Sequence, residues 1–451
     1  MLKKIIKKML PKNVLGWYHF LLAKFGAMLY GFPSRKMVII GITGTKGKTS
    51  TANFIWSVLS AAGFKTGIIT TANIRIGDQE ILNKYHMTMP GRFILQKTMA
   101  EMVDAECKFC VVETTSEGIK QWRHVGIDYD IAVFTNLSPE HLASHENDFE
   151  KYKEAKGKMF AALNVKKHKT IDGREIDKVI VVNSDDENKD FFVNFAADKK
   201  VTFALEAHPR LPAGTAPLAE GFLGADIVAQ NIVELPDGVT FKVGDNNFRL
   251  NIVGGFNVYN ALPAIIVANL FGVDNAAIQR GFENLAQIPG RMEEIKQGQN
   301  FRVFVDYAHE PKSMEAALNA TRKIVGNGKL IVLLGAEGGG RDKTKRPAMG
   351  KVAGELADFV VISNVDPYED DPAAILRDIK VGAEAVAKIE NINLFVVEDR
   401  RSGIRRALQL ANVGDIVLIT GKGAEQSITI AGIKYPWDDR SVVAEELTKI
   451  R

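Results

Sequence analysis

Short apolar runs with almost no polar alternation recur along this chain, separated by stretches of helical pattern. "VIIGIT", "FCVVE", "VIVVN" and "LIVLL" are typical. A strand written this way has to be covered on both faces, which points to parallel sheets wrapped by helices. The expected strands are Val38–Thr43, Phe109–Glu113, Ile131–Thr135 and Val179–Asn183, then Val303–Asp306, Leu330–Gly335, Phe359–Ser363, Leu394–Val397 and Ile416–Thr420. Between the two groups lies Gly281–Gln299, whose "IPGRMEEIKQGQ" is rich in Gly and polar residues and marks the best domain boundary. A chain of 451 residues exceeds what one core holds, so two or three domains are expected. In sheets of this kind ligands bind at the carboxyl ends of strands, and the polar clusters of this chain follow its strands.

A net charge of +4 is too weak to argue for nucleic acid, and the composition is that of a soluble protein. The charge is uneven: Met1–Met37 holds eight Lys or Arg and no acid. Cys107 and Cys110 are the only cysteines. A structural zinc needs four ligands, and this pair leads into a strand rather than opening a helix, so two small core residues in a reducing cytoplasm are expected. No small-residue cleavage site follows the first apolar run, so no secretory signal is read.

The first strand feeds "GITGTKGKTS". The general phosphate-loop pattern asks for Gly five residues before Gly47, and Ile42 stands there. The physical requirements survive the altered spacing. Gly44 and Gly47 let the backbone N–H groups of Thr45, Lys46 and Lys48 turn toward an anion, and the helix that begins near Ser50 adds its dipole. Lys48 is placed to meet terminal phosphates, and Thr49 to offer a hydroxyl to Mg²⁺. A plain Gly-rich turn with a solvated lysine is the competing reading. The fold expected is α/β: a central domain with a phosphate loop and a parallel-rich sheet over 37–288, a Rossmann-like α/β domain over 289–451, and a short helical extension over 1–36.

The variant Thr-Gly-Thr-x-Gly-Lys-Thr-Ser resembles the loop of the Mur ligase family, ATP-dependent enzymes that add amino acids to the peptidoglycan precursor. Further likenesses run along almost the whole chain: "TMPG" with Thr88, "VVETTSEG" with Glu113 and Ser116, "FTNLSPEHLASH" with Asn136 and His141, and "YKEAKGKMF" with Lys156. "GGFNVYNALPA", "PGRME", "VDYAHEP", "RDKTKRPAMG", "DPYEDDP" and "GKGAE" follow, and are closest to the branch that adds the third peptide residue.

The resemblance implies a carboxylate that takes the γ-phosphoryl of ATP and an amine that then attacks the acyl phosphate. Negative charge gathers in one place in both steps, so cations must neutralise it. Carried over residue by residue, Lys48, Glu113, His141 and Lys156 form the catalytic set. Thr49 and Glu113 hold the first Mg²⁺, and His141 and Lys156 serve a second metal region, the lysine as a carbamate. Taken alone, Lys156 reads as one more exposed lysine of the Lys-rich stretch Lys151–Lys158. The ATP set is Gly44 to Ser50 with Asn257 and Asn260 flanking the adenine, Arg291 at the domain junction, Asp306 on the ribose and His309 beside it. Thr88, Ser116, Arg341, Asp366, Tyr368 and Glu425 form the substrate set. The partners implied are a muramyl-peptide-like acceptor and an amino acid.

Two departures bear on that amino acid. Members that add diaminopimelate carry Asp-Asn-Pro-Arg, whose Arg grips a distal carboxylate; here the stretch is Val365-Asp366-Pro367-Tyr368. With Glu369, Asp370 and Asp371 behind it, an acidic pocket suits a distal amine, hence a lysine-like substrate. A solvated turn in which Asp370 or Asp371 caps the helix at Pro372 is equally open. Ala424 stands where the family usually has His, while Glu425 remains for the α-amino group.

The third departure is N-terminal. Only Met1–Lys36 precedes the central domain, too little for the uridine-gripping domain of third-residue ligases. Val14–Phe32 is apolar but holds His19 and Lys24, a poor membrane span. Three readings stay open: an amphipathic helix on an anionic membrane, a helical pair packed on the central domain, and an oligomer contact. Two other functions stay open as well: a folylpolyglutamate or poly-γ-glutamate type of ligase, and a non-catalytic nucleotide-binding scaffold.

Overall fold

The computed structural model describes residues 12–83, 85, 87–140, 142–165, 167–206 and 225–450. The strand Val38–Thr43 lies inside a sheet that counts eleven strands among the described residues. It runs parallel to Phe109–Glu113 on one side and to Ile131–Phe134 on the other. The parallel run continues through Val179–Asn183 and Lys199–Leu205 to Ile227–Leu235. Both ends of the sheet turn antiparallel: Gly238–Val243 and Asn246–Leu250 at one, Asn73–Ile76 and Gln79–Leu82 at the other.

Burial of the central strand on both faces explains its lack of polar alternation. Val38, Ile40 and Ile42 point into one core with the helices Lys48–Ala61 and Phe256–Leu270; Ile39 points into another with Arg92–Asp104 and Phe149–Ala161. A buried ion triad ties the entry to this strand. Asp130, wholly buried, accepts from Lys178 Nζ at 2.7 Å, from Lys169 Nζ at 2.5 Å and from the Ile39 amide at 2.8 Å. A charge stranded there would cost about 3–5 kcal/mol, so the three stand or fall together.

The second sheet is parallel in the order Arg302–Asp306, Ile416–Thr420, Leu330–Leu334, Phe359–Ile362, Leu394–Val396, with Glu293–Glu294 antiparallel at one edge. Leu330, Val332 and Leu334 pack in one core and Ile331 and Leu333 in another, so helices cover both faces here too. Cys107 and Cys110 are buried free thiols at the strand Phe109–Glu113, as expected of core residues; burial pushes both thiols up.

Of the extension, the helix Lys12–Leu29 is packed on the central domain: Ala23 and Ala27 are buried, and Phe20 meets the Trp122 ring edge-on at 5.5 Å. Residues 1–11 lie outside the described residues. No helix among the described residues is long and apolar enough to cross a membrane.

Candidate active site

The loop after the first strand is held from two sides. Thr45 N–H donates to Asn136 O at 2.8 Å and Lys46 N–H to Asn136 Oδ1 at 2.9 Å, so the turn after Ile131–Phe134 fixes the loop's curvature. Gly47 has φ 81°, and a Cβ there would lie 2.1 Å from Asn260 Oδ1. Only glycine fits that contact, and it places Asn260 against the loop itself. Asn260 Nδ2 donates to Asn257 Oδ1 at 3.0 Å, and Asn257 Nδ2 to Val253 O at 2.9 Å, which locks both amides.

Glu113, at the carboxyl end of its strand and 3% exposed, is the focus of the loop's far side. Its Oε2 accepts from Thr49 Oγ1 at 2.8 Å, from Thr71 N–H at 2.9 Å and from Thr71 Oγ1 at 3.1 Å. Thr88 Oγ1 is 2.8 Å from Thr71 Oγ1, one step further out. Lys48 Nζ stands 4.0 Å from Glu113 Oε1 and donates to the Gly44 and Thr45 carbonyls. Burial, partly offset by Glu113, pulls the Lys48 ammonium down from its usual range. A hydroxyl and a carboxylate side by side are hard oxygen donors that suit Mg²⁺. Among the described residues no group of three His, Cys, Asp or Glu is arranged to hold a metal ion. A magnesium ion held here would therefore complete its shell from phosphate oxygens and water, its usual habit.

Lys156 is not the exposed lysine that the Lys-rich helix suggests. It is 2% exposed, and its Nζ donates to Gly44 O at 2.6 Å, 4.5 Å from the centre of the Tyr152 ring. Burial first, and the Lys48 charge second, hold its amine well below the ordinary lysine range. A neutral amine is nucleophilic and can add CO₂, which a protonated one cannot. His141 lies outside the described residues. Its near neighbour His145, which sequence reasoning passed over, is buried, with Nε2 3.1 Å from Ser116 Oγ. Lys46 Nζ pairs with Glu140 Oε2 at 2.7 Å, and Ser50 is buried in the helix behind the loop.

Arg291 joins the two sheets. Its Nη2 donates to Thr49 Oγ1 at 3.2 Å, and its guanidinium stacks 4.3 Å over the Tyr307 ring. Tyr307 Oη donates to Glu425 Oε1 at 3.3 Å. Asp306, at its strand's carboxyl end, accepts from the Met292 and Ala308 amides at 2.8 Å each. Burial raises its carboxyl, against the pull of Arg291. His309 Nδ1 lies 2.8 Å from Tyr307 O.

Beyond Tyr307 the second domain gathers Glu425, Lys422, Asp366, Tyr368, Arg341 and Glu337. Lys422 Nζ, wholly buried, pairs with Asp366 Oδ2 at 2.6 Å and Glu425 Oε2 at 2.7 Å. Those two carboxylates are thus balanced by an internal cation that the sequence reading did not single out. The acidic run behind Tyr368 divides, with Glu369 and Asp371 exposed and the Asp370 Oδ2 buried. Asp370 is 3.8 Å from Arg346, and Asp371 caps the helix Pro372–Glu384 through Ala373 N–H at 3.1 Å. Tyr368 holds φ 54° and places its ring 5.8 Å from the Arg341 guanidinium, whose Nε lies 3.3 Å from Glu337 Oε2.

Models of two known families match the sequence: the Mur ligase middle domain over residues 42–268 and the Mur ligase, glutamate ligase domain over residues 290–423. A UDP-N-acetylmuramyl-tripeptide synthetase of Roseiflexus sp. is 35% identical over 437 residues, 95% of this chain and 82% of that protein. A UDP-N-acetylmuramoyl-L-alanyl-D-glutamate--2,6-diaminopimelate ligase of Bacillus cereus is 37% identical over 434 residues, covering 95% and 81%. Among solved structures, a diaminopimelate ligase of the same name matches with TM-score 0.59 at 29% identity, over 92% of this chain and 79% of that one. A folylpolyglutamate synthase of Mycobacterium tuberculosis matches with TM-score 0.67 over 96% and 95%, and at 19% identity it shares the fold alone. Phosphate loop, bridging arginine and two matched domains together make this chain a member of the Mur ligase family, the ATP-dependent, ADP-forming amide ligases of peptidoglycan-precursor synthesis.

Proposed function

We propose that this ligase, working in the cytoplasm, joins a diamino acid with a single carboxylate to the free carboxylate of a muramyl-peptide-like acceptor, with Mg²⁺ and ATP. The observation that carries the reading is the unbroken line of contacts Glu113–Thr49–Arg291–Tyr307–Glu425. It supports phosphoryl transfer at one end and amine delivery at the other, with Arg291 sensing that the domains have met. In this reading Lys48 and Arg291 neutralise the transferring phosphoryl group, Thr49 and Glu113 hold the ion, and Lys156, as a carbamate, assists a second. Asn257, Asn260 and Asp306 bind the nucleotide; Thr88 and Ser116 face the acceptor; Arg341, Asp366, Tyr368 and Glu425 face the amino acid.

The choice of amino acid rests on Tyr368 and Glu337, not on the acidic run. Tyrosine offers no clamp for a distal carboxylate, and Glu337 already neutralises Arg341. A distal ammonium would take Glu337 and the face of Tyr368 by displacing the exposed Arg341 guanidinium. The test is phosphate release with a muramyl dipeptide acceptor and a panel of lysine, ornithine and meso-diaminopimelate. The wild type should favour lysine or ornithine. Tyr368→Arg should shift the ratio of kcat/KM toward diaminopimelate by about tenfold or more. A wild type that strongly prefers diaminopimelate would refute the assignment.

A further inference from the structure

The helix Lys12–Leu29 is apolar on both sides, and only one side is covered. Inward, Ala23 and Ala27 are 1% and 0% exposed, and Gly126 comes so close that a Cβ there would stand 2.7 Å from the Ala27 Cβ. Outward stand Trp17 at 67%, Tyr18 at 55%, Leu21 at 59%, Phe25 at 50%, Met28 at 57% and Leu29 at 58%. At helical spacing these six fall within an arc of roughly 120°. Lys24 is the one charge among them, its Nζ 4.7 Å from the Phe20 ring. No other element of the described residues exposes so many large apolar side chains on one face. Patches of this kind mark interaction surfaces.

We infer that this face docks the protein on an anionic lipid surface. Charge selects the partner. Met1–Met37 carries eight Lys or Arg and no acid, while the rest of the chain has a slight excess of acid. A second copy would bring a segment of the same net positive charge against itself. A leaflet offers an apolar layer beneath negative headgroups, matching a face of Trp, Leu, Phe and Met in a segment whose sequence carries Lys and Arg but no acid. Trp17 and Tyr18 have the amphipathic rings that settle at that boundary, and the stem of Lys24 lets its ammonium reach the headgroups. The helix lies along the surface rather than through it, since none here is suited to cross. Its covered side rests on Trp122, which with Lys120 and His145 lines a cavity of about 280 Å³. His145 bonds Ser116, so docking would hold the acceptor side of the site close to the leaflet. The inference itself does not depend on which acceptor is used.

Sedimentation of the full chain with vesicles tests it. Binding is expected to phosphatidylcholine vesicles doped with phosphatidylglycerol, weakened by salt, and not to phosphatidylcholine alone. Trp17→Ser with Phe25→Ser should lower binding at least about tenfold while ATP turnover with a soluble acceptor is kept. Lys24→Glu, at an exposed position, should weaken binding several-fold without touching the fold. Failure of the wild type to bind anionic vesicles overturns the inference, as does binding that all three substitutions leave unchanged. A dimer in analytical ultracentrifugation that dissociates on Trp17→Ser with Phe25→Ser would overturn it too, and assign the face to a second copy.

Discussion

Lys156→Ala is expected to lower turnover on the order of a thousandfold, and short carboxylates such as formate or acetate are expected to restore part of it. The reason lies in the burial of this side chain. An ammonium at 2% exposure beside Lys48 is doubly disfavoured, and the amine is held well below its usual range. The amine is therefore deprotonated far more readily than an ordinary lysine, which favours its reaction with CO₂. The resulting carbamate would replace an amine by an anionic oxygen donor next to the loop. Two readouts separate this from a lysine acting as a cation. Bicarbonate should raise the activity of CO₂-depleted wild type, and carboxylates rather than alkylamines should rescue the variant. Rescue by methylamine or ethylamine, with no response to bicarbonate, would contradict the carbamate.

Lys48→Ala is expected to abolish ATP turnover, by about a thousandfold or more, with or without acceptor. Lys48 Nζ now donates to the Gly44 and Thr45 carbonyls and faces Glu113 at 4.0 Å, so phosphate oxygens would replace weak backbone acceptors with charged ones. Lys48→Arg should recover little, because the loop closes around a compact ammonium and the planar guanidinium does not fit its place. Single-turnover phosphate release measures both variants. Turnover of Lys48→Ala near the wild-type rate would mean that the loop binds no phosphate.

The nine strands named from the sequence were legible because burial on both faces leaves no polar residue to confuse the pattern, as in Ile331 and Val332, which point into opposite cores; the parallel Lys199–Leu205, exposed at its start, was not. The antiparallel margins were not. Gln79–Leu82 and Ile227–Leu235 are largely exposed or half-buried and mix charge with β-branched residues, so they carry no clear period. In the site, Lys48, Thr49 and Glu113 announced themselves by motif. Thr71 did not, because it acts through its amide as much as its hydroxyl and sits far along the chain from Glu113. Lys422 was hidden in the same way: its role is to balance Asp366 and Glu425, which only the fold brings together. Lys156 carried a signal that residue counting missed. Tyr152, Ala155, Met159 and Phe160 form the buried stripe of its helix, and Lys156 falls in that stripe while Lys151 and Lys158 fall outside it.

The acyl-phosphate route is the centre of this account, and the fate of the acceptor's oxygen tests it most directly. The acceptor is prepared with heavy oxygen in its free carboxylate and turned over with unlabelled ATP and the preferred amino acid. A carboxylate oxygen attacks the γ-phosphorus and ADP departs; the amine then attacks the carbonyl carbon and phosphate departs with that oxygen. One heavy oxygen per turnover should therefore appear in inorganic phosphate, and ADP should be unlabelled. Phosphate free of label, or label found in AMP, would contradict the assignment of Lys48, Arg291 and the Thr49–Glu113 pair to γ-phosphoryl transfer.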